Sequence, residues 1–311
     1  MKKTLITGGA GFIGSHLCNY YLSQNYEVHC MDNFSSGNYN NIKKHLYDQR
    51  FKVIDHDISD PLKIKNDYDY ILNFACPASP KYYLSNPIST AKASVNGIQN
   101  ILNFAIQNNS TLLHASTSEV YGDPFVHPQK ESYYGNVNPI GSRSCYDEGK
   151  RVAEMFIYEY EKKYSLNAKI IRIFNTYGPN MHKDDGRVVS NFINQALNND
   201  VITIYGDGAQ TRSLCYIDDL VEGISSYLSL NDKFLGPVNL GNPLELSINE
   251  IASLIIKLTN SSSKIEYFEL PEDDPLKRRP DISLANKKFG FSPTFSLEEG
   301  LLETVKYFKS L

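Results

Sequence analysis

Tyr146 and Lys150 stand four residues apart in Tyr146-Asp147-Glu148-Gly149-Lys150, a spacing that sets both side chains on one face of a helix. An ammonium beside a phenol stabilises the phenolate, so the lysine is expected to lower the tyrosine pKa from about 10 toward neutral pH. Such a tyrosine can take the proton of a substrate hydroxyl while hydride leaves the same carbon. Upstream, Ser116-Thr117-Ser118-Glu119 offers hydroxyls and a carboxylate directly after the apolar run Thr111–Ala115. Tyr-x-x-x-Lys alone is common on helix surfaces, and its place after that strand-like run gives it weight.

A second constellation opens the chain. Gly8-Gly9-Ala10-Gly11-Phe12-Ile13-Gly14 follows a strand pattern, Lys3–Thr7, and begins a helical pattern from Phe12 to Gln24. Glycines permit a tight turn and close backbone approach, and a helix N-terminus offers unpaired N–H groups to a pyrophosphate. Asp32 ends the next strand pattern, Tyr26–Met31. A carboxylate there can accept both ribose hydroxyls of an adenosine and repels a 2′-phosphate, so NAD is expected over NADP. Asp57 and Ile58, after the strand pattern Phe51–Ile54, are placed to meet the adenine.

The elements that must position these groups alternate. Further strands are predicted over Tyr70–Phe74, Thr111–Ala115 and Ala168–Phe174, and helices over Pro87–Gln107 and Tyr146–Tyr164. That rhythm predicts an α/β fold, a Rossmann-type doubly wound parallel sheet, over residues 1–180. Segments from 212–240 are expected to return to it. Residues 181–311, with shorter elements and capping boxes at Ser247–Glu250 and Ser296–Glu299, are read mainly as a smaller α/β substrate-binding domain.

The 311 residues carry a net charge of −4, and 41% are apolar, which fits an ordinary globular protein and not a nucleic-acid binder. No apolar run reaches the roughly 20 residues of a membrane span, and no signal peptide is legible. Five cysteines without a C-x-x-C pair, and seven histidines without ligand spacing, point to a reducing, cytoplasmic setting and no metal.

The chain resembles the extended short-chain dehydrogenases/reductases and, among them, the UDP-glucuronate decarboxylases. Its resemblance rests on residues 75–80 (ACPASP), 116–124 (STSEVYGDP), 135–141 (GNVNPIG), 144–151 (SCYDEGKR), 172–179 (RIFNTYGP), 185–192 (DGRVVSNF), 210–212 (QTR), 236–243 (GPVNLGNP) and 273–282 (DDPLKRRPDI). It implies Tyr146 as base, Lys150 as its partner on the nicotinamide ribose, and Thr117 on the C4 hydroxyl of the sugar. Glu119 and Ser118 would serve the later step, and Arg278 would face the substrate carboxylate. Lys92, Asn175, Arg187, Tyr205 and Arg212 are expected on the nucleotide-sugar. Asn33, Ser36, Gly37, Phe74, Cys76, Ala115, Thr176 and His182 are expected around the cofactor, with Gly8, Gly11, Phe12, Ile13, Gly14, Asp32, Asp57 and Ile58.

The implied reaction converts UDP-glucuronate to UDP-xylose through a UDP-4-keto intermediate. Alternatives are release of the keto pentose, or a nucleotide-sugar 4,6-dehydratase or 4-epimerase. Dehydratases of this type carry Asp where Ser118 stands, and epimerases usually lack an acid at Glu119. Tyr134, Asn180 and Phe291 depart from the family's usual Trp, Arg and Trp. Relatives pair the helices near 87–107 and 146–164, so a homodimer is expected.

Overall fold

The computed structural model describes residues 1–65, 67–269 and 277–311. In its first half, strands β1 (Lys3–Thr7), β2 (Glu27–Asp32), β3 (Phe51–Asp55), β4 (Tyr70–Asn73), β5 (Thr111–Thr117) and β6 (Ala168–Ile173) alternate with helices α1 (Phe12–Ser23), α2 (Pro80–Ser85), α3 (Pro87–Lys92), α4 (Ile98–Asn108) and α5 (Ser144–Tyr164). The second half adds β7 (Thr176–Tyr177), β8 (Ile202–Tyr205), β9 (Thr211–Ser213), β10 (Cys215–Tyr216), β11 (Val238–Leu240), β12 (Glu245–Ser247), β13 (Ile265–Phe268) and β14 (Lys277–Arg278). Its helices are α6 (Val188–Asn198), α7 (Ile217–Leu228), α8 (Ile248–Thr259), α9 (Ser283–Phe289) and α10 (Leu297–Lys309).

Among the described residues, one sheet runs β11-β6-β5-β4-β1-β2-β3 with every neighbour parallel. Both faces are covered, and the alternation of side chains along each strand divides the core. Leu5, Ile71, Leu112 and Ile170 join Ile101 of α4 and Ile157 of α5. Their sequence neighbours Ile6, Leu72, Leu113 and Ile171 join Leu17 of α1 and Ile224 of α7. Chain order reverses between β1 and β4, which opens a crevice at the carboxyl ends of these strands. The smaller sheets lie in the second half: β9 pairs with β12 antiparallel and with β14 parallel, setting Arg212 opposite Arg278.

Two details differ from the sequence expectation. The helix expected over Pro87–Gln107 is broken by a π turn at Ala93–Gly97, since one inserted residue leaves hardly a trace in a 3.6-residue pattern. Helix α2, opened by Pro80 at its first turn, was not expected, being too short to show a period. No helix of the described residues is long and apolar enough to cross a membrane.

Both capping boxes form. Ser296 accepts from the Glu299 N–H while the Glu299 carboxylate accepts from the Ser296 N–H at 3.0 Å. Replacing Ser296→Ala should lower stability by about 1 kcal/mol, read as a fall in the urea midpoint that Ser296→Thr largely avoids.

Candidate active site

A cleft of about 640 Å³ opens at the carboxyl ends of the central strands. Its walls include Gly8, Gly11, Phe12, Ile13, Gly14, Asp32, Asn33, Ser36, Gly37, Asp57, Ile58, Phe74, Cys76, Ala115, Thr176 and His182. They also include Thr117, Ser118, Glu119, Tyr146, Lys150, Asn175, Arg187, Tyr205, Arg212 and Arg278. Lys92 is the exception: it is exposed and outside these walls. Helix α3 and the turn after it present Ser89 and Ala93 to the cleft, and Lys92 is turned about 100° from Ala93 around the helix. Of the motif at 273–282, residues 273–276 lie outside the described residues.

The glycine turn is built for close approach. Gly8 has φ +69°, and a Cβ at Gly14 would lie 2.0 Å from the Gly8 carbonyl oxygen. Gly11 caps α1 without a side-chain hydrogen bond, and the first turn carries no acid, so its N–H groups suit an anion. Asp32 is buried and accepts the N–H groups of Ala10 and Phe34, each at 2.9 Å. Burial nevertheless holds its pKa above the usual carboxylate value. Asn33 donates to Asp57 at 2.8 Å, tying the ends of β2 and β3 together. A glycine surface without room for a side chain, an uncapped helix start and a carboxylate at the second strand fit a dinucleotide such as NAD.

Tyr146 and Lys150 are both buried on α5. The Tyr146 ring stacks on Tyr83 of α2, centroids 5.0 Å apart and 4° from parallel. Lys150 Nζ donates to the Ala115 carbonyl at 2.7 Å and lies 5.8 Å from the Tyr146 ring centroid. The expected lowering of the phenol by Lys150 is not what this arrangement produces. Burial pushes the Tyr146 phenol well above its usual value, Cys76 adds to that, and a hydrogen bond with Thr117 opposes it. Burial also lowers Lys150.

Beside them lies a cluster of charge. Thr117 caps the turn after β5, accepting the Glu119 N–H at 3.3 Å. Glu119 accepts from Arg143 at 2.5 Å and Arg278 at 3.1 Å. Burial works against its charged form, but Arg278, Arg143 and Arg212 outweigh it and hold the carboxyl below its ordinary value. Arg278, 1% exposed, also donates to the Ser118 carbonyl at 2.8 Å. Arg143 Nε lies 3.8 Å from Asp147, whose other oxygen is buried without a hydrogen bond. Farther along the walls, Arg187 pairs with the buried Asp185. The His182 ring meets Tyr82 edge-on at 6.1 Å, and Tyr205 is half exposed beside Phe268.

Arg143 and Tyr83 line the cleft and were not anticipated. Arg143 sits three residues before Tyr146, one turn away on the incoming helix, a spacing that could have marked it. Tyr83 carried no such signal. Of the departures, Asn180 adopts φ +68° and donates to Ser15 at 3.0 Å, a backbone state Asn tolerates better than Arg. Phe291 is buried, whereas Tyr134 is 89% exposed.

Residues 5–304 match the family model described as GDP-mannose 4,6 dehydratase. UDP-glucuronic acid decarboxylase 1 of Danio rerio is 50% identical over 99% of this chain and 72% of its own length. UDP-glucuronic acid decarboxylase 3 of Arabidopsis thaliana is 49% identical over 96% of this chain and 86% of its own. The chain belongs to the UDP-glucuronic acid decarboxylase family. Among solved structures, a UDP-glucuronic acid 4-epimerase from Bacillus cereus, in complex with UDP-glucuronic acid and NAD, superposes with a TM-score of 0.89. It is 29% identical and covered over 99% of both chains. This chain and that epimerase thus share one backbone frame.

Two outcomes follow from this geometry. Gly14→Ala should abolish NAD retention, seen as loss of dinucleotide released on denaturation, because the added carbon overlaps the Gly8 carbonyl. Asp147 bears on pH. Burial first, and the Glu119 charge second, push it up to about 7. A carboxyl raised on folding gives stability that is full below its unfolded pKa and is lost as pH rises through the folded one. Asp147→Asn, which cannot ionise, should gain stability relative to the parent progressively from about pH 4 to about pH 7 and keep that gain above it, read from urea midpoints across the range.

Proposed function

We propose that the chain decarboxylates UDP-glucuronate to UDP-xylose through a UDP-4-keto intermediate, with NAD as a recycled cofactor. The observation that carries this reading is the Glu119 carboxylate held between Arg143 and Arg278 beside Thr117 and Tyr146. NAD, held by the turn at Gly8, Gly11 and Gly14 and by Asp32, would supply a reversible hydride acceptor for C4. Tyr146 takes the C4 hydroxyl proton, with Thr117 holding that hydroxyl. Oxidation makes the C5 carboxylate β to a ketone. The C5–C6 bond then breaks, carbon dioxide leaves, and the electron pair passes into an enolate on O4. Protonated Tyr146 and Thr117 stabilise that oxygen as hydrogen-bond donors. A water oriented by the Glu119 carboxylate relays a solvent proton to C5, and Arg278 faces the carboxylate that departs. Tyr146 returns its proton to O4 as the ketone is reduced.

Arg187 and Arg212 are assigned to the pyrophosphate, for which a guanidinium fork is suited. Asn175 and Tyr205 are assigned to UDP and its sugar. Ser118 cannot readily protonate a C6 hydroxyl leaving group, which speaks against a 4,6-dehydratase. Residues 1–180, with returning segments from 212–240, are assigned to NAD, and 181–311 mainly to the nucleotide-sugar. Ile88, Met155 and Tyr158, 73%, 48% and 48% exposed on α3 and α5, support a homodimer through these helices. Five unpaired cysteines support a cytoplasmic setting.

Incubation of the purified protein with UDP-glucuronate tests this, following carbon dioxide, absorbance at the NADH band and the product by NMR. Carbon dioxide with UDP-xylose and no lasting NADH is expected. Stoichiometric NADH would mean release of the keto pentose, and no carbon dioxide would overturn the decarboxylase reading. Tyr146→Phe should cut turnover by about 10²–10⁴-fold or more while NAD stays bound. Loss of NAD together with activity would make Tyr146 structural.

A further inference from the structure

Among the described residues, Arg278 reaches Glu119 from the strand segment Lys277–Arg278, which pairs with β9. The segment after it is held by Gln129, a fully buried residue in the connection between β5 and α5. The Gln129 N–H donates to the Arg279 carbonyl, and the Gln129 carbonyl accepts the Asp281 N–H, each at 2.8 Å. Its side chain adds a separate restraint. Oε1 accepts the Arg279 N–H at 2.8 Å, and Nε2 donates to the Val126 carbonyl at 2.8 Å. Asn239 then donates to the carbonyls of both Gln129, at 3.0 Å, and Asp281, at 3.1 Å.

The decisive contact is the one to the Arg279 N–H. That N–H belongs to the same planar unit as the Arg278 carbonyl. Fixing it fixes the backbone torsion from which the Arg278 side chain departs. A long side chain magnifies any error in that torsion at its tip, where the guanidinium must meet both Ser118 and Glu119. Without its acceptor, the part-buried amide would rotate to find another.

We propose that Gln129 is a positioning residue, whose side-chain amide sets the Arg278–Arg279 peptide plane and so aims the Arg278 guanidinium at Glu119 and the reacting sugar. This rests on the role given above to Arg278. Gln129 does not line the cleft, so its influence is confined to the steps in which Arg278 takes part.

The test uses NAD-loaded enzyme, UDP-glucuronate and single turnovers that resolve NAD reduction from carbon dioxide release. Gln129→Met keeps the volume and removes the acceptor. It should slow carbon dioxide release by about 10- to 100-fold, as a small misplacement of a catalytic group does, and leave NAD reduction nearly unchanged. Arg278→Lys should show the same split. The double variant should match Arg278→Lys within about two-fold, since both changes remove one function. Losses that multiply, or normal carbon dioxide release in folded Gln129→Met, would overturn the proposal. Should Gln129→Met not fold, Gln129→Glu carries the test. It keeps the acceptor for Arg279 and loses the donor to Val126, so near-parental carbon dioxide release supports positioning and a large loss opposes it. Unimpaired release in Arg278→Lys would instead overturn the role of Arg278 itself.

Discussion

A carboxylate can stay charged inside a protein only where cations and hydrogen bonds replace the water it lost. Glu119 meets that condition through Arg143 and Arg278, at 2.5 and 3.1 Å. The three come from distant parts of the chain: the end of β5, the entry to α5, and the strand β14 near the C-terminal helices. Their meeting joins the end of the central sheet to the last segment in the wall of the cleft. Loss of either arginine would leave a buried charge short of a partner, so the fold and the site share one electrostatic constraint.

The same burial governs the tyrosine. Enclosure by Tyr83 and the walls favours the neutral phenol, and Lys150 is itself driven toward neutrality. The hydrogen bond with Thr117 works the other way, so the phenol lies between opposing influences.

Much of this was legible in the residues. The strand from Lys3 to Thr7, the glycine turn, Asp32 and the Tyr146–Lys150 pair lie within short stretches, where local spacing carries the information. The alternation that separates Leu5 from Ile6 in the core is a two-residue period that a sequence displays directly. Other features depend on distance in space. The π turn at Ala93–Gly97 adds one residue to a pattern that tolerates it. Lys92 is charged and near the right helix, but on the wrong side of it. Tyr83 acquires meaning only when its ring meets Tyr146, and Gln129 only when the chain returns 150 residues later to place Arg279 against it. Arg143 was the nearest to being found, since one helical turn separates it from the base.

Net charge alone made the chain an awkward host for an anionic cofactor and an anionic sugar nucleotide. The cleft resolves this locally, with Arg143, Arg187, Arg212 and Arg278 all in its walls. These arginines are not bare charges. Arg187 is held by Asp185, Arg143 and Arg278 share Glu119, and Arg212 donates to the Thr211 carbonyl at 2.9 Å. A guanidinium has five N–H donors, and a carboxylate engages one or two of them. Asp185 thus fixes Arg187 by engaging its Nε and one amino group. The ordering of four long side chains is completed on folding, and a ligand that meets them need not supply that entropy again when it binds.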